Sequence, residues 1–299
     1  MSQFRSYVFV ILIGVSTLLK AQDAPLRFKA GIGLATYYGD LKEKAKLVDQ
    51  SSLAINLGLT YDLTEQILGT FDFSVMSLKA NDKFNTRIDY INRNLNFKTT
   101  LWEANLGVEY DFLNMTSGDY ILTPYLHMGV GLFHYNPWTY DRSGNKVYLR
   151  QFGTEGQGLP SYPERKAYNL LQMQIPIGGG IKFAISEDVN AFFDISFRKI
   201  FTDYIDDVGN TYPDRDIMLA ESPNPIQTIG LTYRGDEISS APYPGVNIKR
   251  GGYTKDIYYT MGIGISMRLN NITVTRKAKR YNGKVSSTRS RLRSPGSVL

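Results

Sequence analysis

The chain has 299 residues, no cysteine and a formal net charge of +6. The lack of cysteine excludes disulfides, thiol chemistry and a lipid anchor attached through cysteine. The high content of tyrosine and glycine favours strands over helices. The charge is unevenly distributed, because eight basic residues and no acidic one lie from Arg276 onward. Without these eight residues and without Arg5 and Lys20, the remaining chain has a net charge of −4. We therefore expect no nucleic-acid binding.

The first residues have the features of a secretory signal peptide. Arg5 precedes an apolar run at 7–19, and the small residue Ala21 follows as a cleavage position. The run is too short for a comfortable transmembrane helix. We therefore predict a signal peptide over residues 1–21 and an exported chain.

Alternation of apolar and polar residues runs through the chain and indicates β-strands. Within 256–269, Ile263 and Ile265 fall on one face and Gly264 on the other. In the fourth predicted strand the apolar residues change face near Leu101, so we expect a β-bulge there. The eight predicted strands are 27–39, 52–62, 66–80, 94–112, 120–135, 168–185, 188–204 and 255–270.

The connections between these strands are long and short in strict alternation, which is typical of an outer-membrane barrel with short periplasmic turns and long external loops. One face of each strand is bulky and apolar, whereas the other carries glycine, small polar residues and charges. In a bilayer these faces point to lipid and to the lumen. We predict an all-β fold, an eight-stranded antiparallel transmembrane β-barrel over residues 22–270, located in the cell outer membrane. A soluble β-sandwich is the alternative.

A barrel of eight strands has room for its own side chains or one small ligand. Because acidic and basic residues are nearly balanced on the inward face, we expect an ionic network that fills the lumen and no open pore. With Lys29, the predicted network contains Asp72, Glu103, Glu109, Lys182, Asp194, Arg198 and Arg268.

The two histidines could indicate catalysis, but no nucleophile motif accompanies them. We expect His127 to face the lumen beside Tyr125 and His134 to lie near the outer rim, both as structural residues. The chain is therefore predicted not to be an enzyme and to need no cofactor. An enzyme at the rim, dependent on His134, is a weaker alternative.

The segment FTDYIDDV follows the seventh strand and places several carboxylates where the chain enters its longest loop. The spacing does not match a calcium-binding loop. We expect Asp203, Asp206 and Asp207 to anchor the loop through hydrogen bonds and salt bridges, with Lys199 and Arg215 as candidate partners. A cation shared by Asp203 and Asp207 is the alternative, and no metal site is predicted.

Three segments, ATYYGDL, IPIGGGIKF and FTDYIDDVGNTYPD, resemble the PorG-like outer-membrane barrels of Bacteroidota over about residues 25–270. The resemblance implies that the barrel is a non-enzymatic component of the type IX protein secretion system. In that system such a barrel accompanies a periplasmic ring built from PorK and PorN. It brings no catalytic residue. The alternative is a surface adhesin or ligand-binding barrel that acts through its long external loops.

The last segment, residues 271–299, has a composition typical of a disordered tail, and the strand count places it in the periplasm. We expect it to bind an acidic surface of a ring component. The alternatives are a solvated tail or one that lies on anionic lipid headgroups. Its candidate partner-binding residues are Arg276, Lys277, Lys279, Arg280, Lys284, Arg289, Arg291 and Arg293.

Overall fold

The computed structural model describes residues 26–42, 49–114, 120–246, 248–252 and 255–269. The predicted signal peptide (1–21) and the predicted basic tail (271–299) lie outside these described residues. Over the described ranges, no helix combines the length and the apolar character needed to cross a membrane.

Antiparallel strands close into a barrel in the described part of the chain. The strands are β1 (Leu26–Tyr38), β2 (Ser52–Asp62), β3 (Ile67–Asn81), β4 (Asn96–Asp111), β5 (Leu122–His134), β6 (Trp138–Tyr140), β7 (Lys146–Tyr148), β8 (Leu171–Ala184), β9 (Val189–Ile200) and β10 (Ile257–Arg268). Eight of them form the wall in the order β3-β2-β1-β10-β9-β8-β5-β4, and pairing of β3 with β4 completes the ring. The predicted eight-stranded barrel is confirmed.

The wall has an apolar outside and a polar inside. Each wall strand exposes large apolar side chains at mid-height, among them Ile32, Leu57, Phe73, Leu106, Val130, Ile177, Phe193 and Ile263. Alternate residues point into the lumen, where they include Glu103, Glu109 and Arg198, all buried. An apolar band around a polar interior is the arrangement of a barrel that spans a membrane. Closure leaves no strand edge unpaired in lipid.

The bulge expected near Leu101 is absent from the described pairing. β4 pairs with β3 one residue to one from Asn96 to Tyr110, so no extra residue is inserted. Phe97 and Leu101 point inward and are buried, and Trp102 points outward. The apolar face changes because the inward surroundings change from an apolar core near the loop end to a polar lumen below, while the outward surroundings change from water to lipid.

The two ends of the barrel differ in their connections. Residues 63–66 and 185–188 form tight turns at one end, which we take as periplasmic. At the other end the long connections carry the β6–β7 hairpin and three α-helices within the described residues: α1 (Ile88–Arg93), α2 (Arg215–Glu221) and α3 (Pro225–Thr232). We call the described parts of 39–51, 82–95, 135–170 and 201–256 the cap.

The cap is a folded unit with its own apolar core, joined to the upper ends of the strands. Leu41, Tyr135, Ile205 and Leu231 are at most 2% exposed and belong to one cluster with Phe97 of β4. Burial of this kind holds long loops in one conformation, since the loss of apolar area from water offsets the entropy of ordering them. The cap therefore lies over the outer mouth of the barrel.

Candidate functional site

The lumen near the turn end contains linked ion pairs. Lys182 Nζ lies 2.6 Å from Glu109 and 2.7 Å from Asp111. Lys29 Nζ lies 3.2 Å from Asp72 and 3.7 Å from the same Glu109. Each charge has an opposite partner, which is the condition for placing ionic groups away from bulk water.

A cavity of about 130 Å³ lies between these pairs and the middle of the barrel. At about 30 Å³ for each molecule, such a volume can hold about four water molecules. Arg27, Asp62 and Glu65, which lie at or beside the periplasmic turns, belong to its lining. The cavity therefore reaches the turn end of the barrel.

Asp194 lies in the wall of this cavity with two ring partners. Its carboxylate is 3.0 Å from His127 Nε2 and accepts a hydrogen bond of 2.8 Å from Tyr125 Oη. Gly178 on β8 leaves space for this group, because a Cβ there would lie 2.6 Å from His127 Nε2. His127 thus faces the lumen beside Tyr125, and its hydrogen-bond partner is the Asp194 carboxylate.

Above the cavity, four side chains cross the lumen and form what we call the sealing layer: Glu103, Gln174, Arg198 and Tyr258. Glu103 accepts hydrogen bonds of 2.8 Å from Arg198, 2.8 Å from Gln174 and 2.6 Å from Tyr258. Glu103 and Tyr258 are 0% exposed and Gln174 is 1% exposed. The predicted network therefore divides into two levels, and Asp194 belongs to the lower one.

Above the sealing layer, a tyrosine at the upper end of β1 joins two carboxylates of the cap. Tyr37 Oη lies 2.7 Å from a carboxylate oxygen of Asp206 and 2.7 Å from one of Asp256, and its single proton is donated to one of the two. Burial and the proximity of Asp256 and Asp40 raise the pKa of Asp206 well above its ordinary value. Asp203 accepts a 3.2 Å hydrogen bond from the backbone N–H of Asp256. This contact brings the loop after β9 against the chain that enters β10.

A buried arginine organises the next part of the cap. Arg250 is 1% exposed, its Nη1 lies 3.2 Å from Glu155, and it donates a 2.6 Å hydrogen bond to the Asp207 carbonyl. The Asp207 carboxylate lies 3.8 Å from Arg250 and accepts hydrogen bonds from Tyr168 and Thr154. Burial raises the pKa of Asp207 to about 6, although Arg250 opposes the shift.

Arg93 makes a second buried junction in the cap. Its guanidinium lies 2.8 Å from Asp82 and also donates to the carbonyls of Asp40 and Arg250. Burial raises the pKa of Asp82, against the effect of Arg93. Three separate connections therefore meet at this one side chain.

The structure separates some residues that the sequence suggested as partners. Asp207 is paired with Arg250, so the prediction of Lys199 and Arg215 as its partners was wrong. Asp207 and Arg250 are 43 positions apart in the sequence, and no local sequence pattern indicates their contact. Arg268 makes no ion pair in the described part of the chain, and its Nε is buried without a partner. His134 stacks on Trp102 at 5.1 Å on the outward face. Among the described residues, no three His, Asp or Glu side chains are grouped as a metal site.

Comparison with solved structures finds several small outer-membrane proteins to which the chain is similar. Neisserial surface protein A (NspA) is 10% identical, covers 82% of this chain and 97% of its own, and gives a TM-score of 0.42. OprG from Pseudomonas aeruginosa gives 10% identity, 82% and 96% coverage, and a TM-score of 0.43. Ail of Yersinia pestis, in complex with sucrose octasulfate, gives 10% identity, 83% and 99% coverage, and a TM-score of 0.38.

The chain's own wall carries the membrane assignment: a closed barrel with an apolar band outside and charges inside is an outer-membrane β-barrel. No curated protein matches the sequence. Residues 4–219, well over half of the chain, match the family described as "Domain of unknown function (DUF6089)". The chain therefore belongs to the DUF6089 family.

Proposed function

We propose that this barrel is a PorG-like, non-enzymatic component of a type IX protein secretion machinery and that it contacts a periplasmic ring. One observation supports this most: two of the segments that resemble PorG-like barrels form one unit in the structure. Tyr37 of ATYYGDL bonds to Asp206 of FTDYIDDV, and Asp40 accepts a hydrogen bond from the Gly252 N–H. Two of the three segments on which the resemblance rests thus meet at one junction.

The distribution of open and filled space also supports a periplasmic task. The outer mouth is covered by the cap, and the sealing layer fills the lumen beneath it. The cavity reaches the periplasmic turns. A barrel with this arrangement is poorly suited to conduct solutes and exposes its polar interior on the side where a ring component would stand.

The basic tail is the proposed connector to a ring of PorK- and PorN-like proteins. It follows β10, whose last residue, Arg268, lies beside the periplasmic turn residue Asp188 through a backbone hydrogen bond of 2.9 Å. Eight positive charges on a segment of low apolar content favour fast, salt-dependent binding to an acidic surface.

Co-purification after mild solubilisation tests this proposal. Truncation after Asn271 should leave the barrel folded, as judged by its altered gel mobility without boiling, and should reduce recovery of ring proteins. A control in which the tail residues are shuffled keeps the charge and should keep the partners. If the truncated chain retains ring proteins at every salt concentration, the tail is not the connector. The turns at 63–66 and 185–188 then become the candidates, together with the connection at 113–119, of which 115–119 lie outside the described residues.

A surface adhesin or ligand-binding barrel is the second candidate function, and one feature of the cap favours it. Phe84, Ile88 and Ile226 are 57%, 69% and 78% exposed at the outer end. Exposed apolar residues on a folded surface can mark a binding site. Recovery of an extracellular ligand, in place of ring proteins, from the same solubilised membranes would favour this function.

A further inference from the structure

Three lysines and two aromatic residues form a patch on the outward surface where the wall meets the cap. We call Lys79, Lys98, Trp138, Lys146 and Tyr148 the basic–aromatic patch. Lys79 of β3 stands directly opposite Lys98 of β4. Lys98 in turn pairs with Trp138 of β6, and Trp138 pairs with Tyr148 of β7. The sheet register thus sets all five side chains in one contiguous area.

The aromatic rings hold two of the ammonium groups in place. Lys146 Nζ lies 4.3 Å from the centre of the Trp138 ring and 5.0 Å from that of Tyr148. Lys98 Nζ lies 5.5 Å from the same Trp138 ring. These are cation–π distances, which orient a lysine but do not neutralise its charge.

The charge of the patch is left uncompensated within the described chain. No ion pair joins Lys79, Lys98 or Lys146 to a carboxylate among the described residues, whereas Lys29 and Lys182 in the lumen are paired. Like charges directly opposite each other on neighbouring strands are destabilising. The pairing of Lys79 with Lys98, with Lys146 beside them, therefore creates a local excess of positive charge that an external anion would stabilise.

The patch is fixed at a definite height above the apolar band. Lys98 and Trp102 both point outward from β4, four residues apart. At about 3.3 Å per residue this is about 13 Å along the strand, or roughly 10 Å along the barrel axis for a strand tilted by about 40°. Trp102 is 42% exposed and marks the upper edge of the band. The lysines therefore lie at the level of lipid headgroups.

The hairpin that carries half of the patch is rigidly seated. On its inner face Val147 is buried in the cap core, and Thr139 donates a 2.7 Å hydrogen bond to Asn96. The patch therefore keeps its position without a ligand. Binding of a headgroup then costs little entropy for ordering the hairpin.

We propose that the basic–aromatic patch binds the phosphate-bearing headgroup of an outer-leaflet lipid. The three ammonium groups face the phosphate, and the faces of Trp138 and Tyr148 cover the less polar part of the headgroup. Lipid is the occupant because the patch continues the lipid-facing surface of β3 and β4 upward. A soluble anion would not require that position. This inference does not depend on the proposed role in secretion.

The test uses the full chain in nanodiscs of phosphatidylcholine, with labelled lipid A as the probe. Lys98→Gln should weaken lipid A binding about fivefold, which corresponds to about 1 kcal/mol for one lysine at an anionic surface. Replacing Lys79, Lys98 and Lys146 together by Gln should weaken it roughly a hundredfold. Lys98→Arg should retain binding, and higher salt should weaken binding of the unaltered chain.

Lys199→Gln is the matched control, since Lys199 is an exposed lysine at the upper end of β9 on the opposite part of the wall. It should bind lipid A like the unaltered chain. Equal losses in Lys98→Gln and Lys199→Gln, or no loss in either, would overturn the proposal. So would inorganic phosphate that displaces the probe from detergent-solubilised barrel as well as lipid A does. If the triple variant fails to fold, the Lys98→Gln and Lys98→Arg pair decides the question.

Discussion

The lower lumen and the cap are both rich in buried charge, but they use it differently. In the lower lumen, Lys182 has two carboxylate partners beside a cavity that reaches the periplasmic end. In the cap, Arg250 is enclosed by Glu155, Asp207 and backbone carbonyls. Water can replace a lost partner in the first region but not in the second. The same kind of ion pair should therefore have different consequences for stability.

The difference also shows in the carboxylates. Asp206, Asp207 and Asp256 of the cap all have pKa values raised by burial. These groups are anchored by neutral donors such as Tyr37 and Tyr168 as well as by arginine. We conclude that the cap is the region where single charge substitutions matter most, and that the lower lumen tolerates them better.

The largest effect should come from Arg250→Met, which leaves Glu155 and Asp207 without their cation. Removing one partner of a buried pair costs about 3–5 kcal/mol. Denaturant unfolding of the cap can be followed by Trp138 fluorescence in a Trp102→Phe background. Arg142→Met is the control, because the Arg142–Asp236 bridge is 46% and 44% exposed and should contribute at most about 1 kcal/mol. Equal losses of stability in Arg250→Met and Arg142→Met would contradict the difference between buried and exposed ion pairs of the cap.

The wall provides a second comparison, between lipid and water. Ile263→Arg near mid-band should cost about 2–4 kcal/mol, since it places a charge in hydrocarbon. Ile238→Arg makes the same change on the cap, where the side chain is 53% exposed compared with 62% for Ile263. Stability in detergent or lipid, measured as the temperature at which gel mobility changes, should fall for the first variant only. A comparable fall in both would argue against a lipid-facing position for Ile263.

Acidification should stabilise the cap. The folded pKa of Asp207, about 6, lies above the unfolded value of about 3.9. The native state therefore binds more protons between these values, and stability is lost as the pH rises through this window, by at most about 3 kcal/mol. Denaturant unfolding of the cap, measured at about pH 4.5 and about pH 7, should show the higher stability at the lower pH. Asp207→Asn should reduce the pH response, and an unchanged response would assign it to the other cap carboxylates.

The smallest effect should come from Asp194→Ala in the lower lumen. The partners lost are the His127 imidazole and the Tyr125 hydroxyl. The adjoining cavity lets water replace the carboxylate, so we expect about 1 kcal/mol. Glu103→Ala in the sealing layer is the comparison. It leaves the buried Arg198 without its carboxylate partner and should lower the stability several times more. A loss for Asp194→Ala as large as that for Glu103→Ala would mean that the cavity gives no access to water.

Much of the wall could be predicted because its periodicity is local. Each wall strand was expected within a few residues of its observed bounds, since alternation fixes which residues face lipid. The same reasoning failed at Leu101, where the apolar face changes without any insertion. A change of environment along one strand produces the same sequence pattern as a β-bulge. Only the pairing register shows whether an extra residue is inserted.

The cap could not be predicted, because its contacts join distant segments. Arg250 meets Glu155 across 95 positions, and Arg93 donates to the Arg250 carbonyl across 157. Neither arginine belongs to a motif. The sequence predicts an anchoring role for the aspartates of FTDYIDDV but could not supply their partners, since partner choice depends on how three separate loops pack together.

Side-specific labelling tests the central claim, that the lumen is covered outside and reached from the periplasm. The chain has no cysteine, so a single Asn56→Cys in the cavity lining can be labelled selectively. Ser143→Cys, on the exposed turn of the β6–β7 hairpin, is the control for the outer face. In whole cells a membrane-impermeant maleimide should modify the cysteine at 143 and not the one at 56. After the periplasm is opened, the cysteine at 56 should become reactive. Labelling of position 56 from the outside at the rate of position 143 would contradict the account.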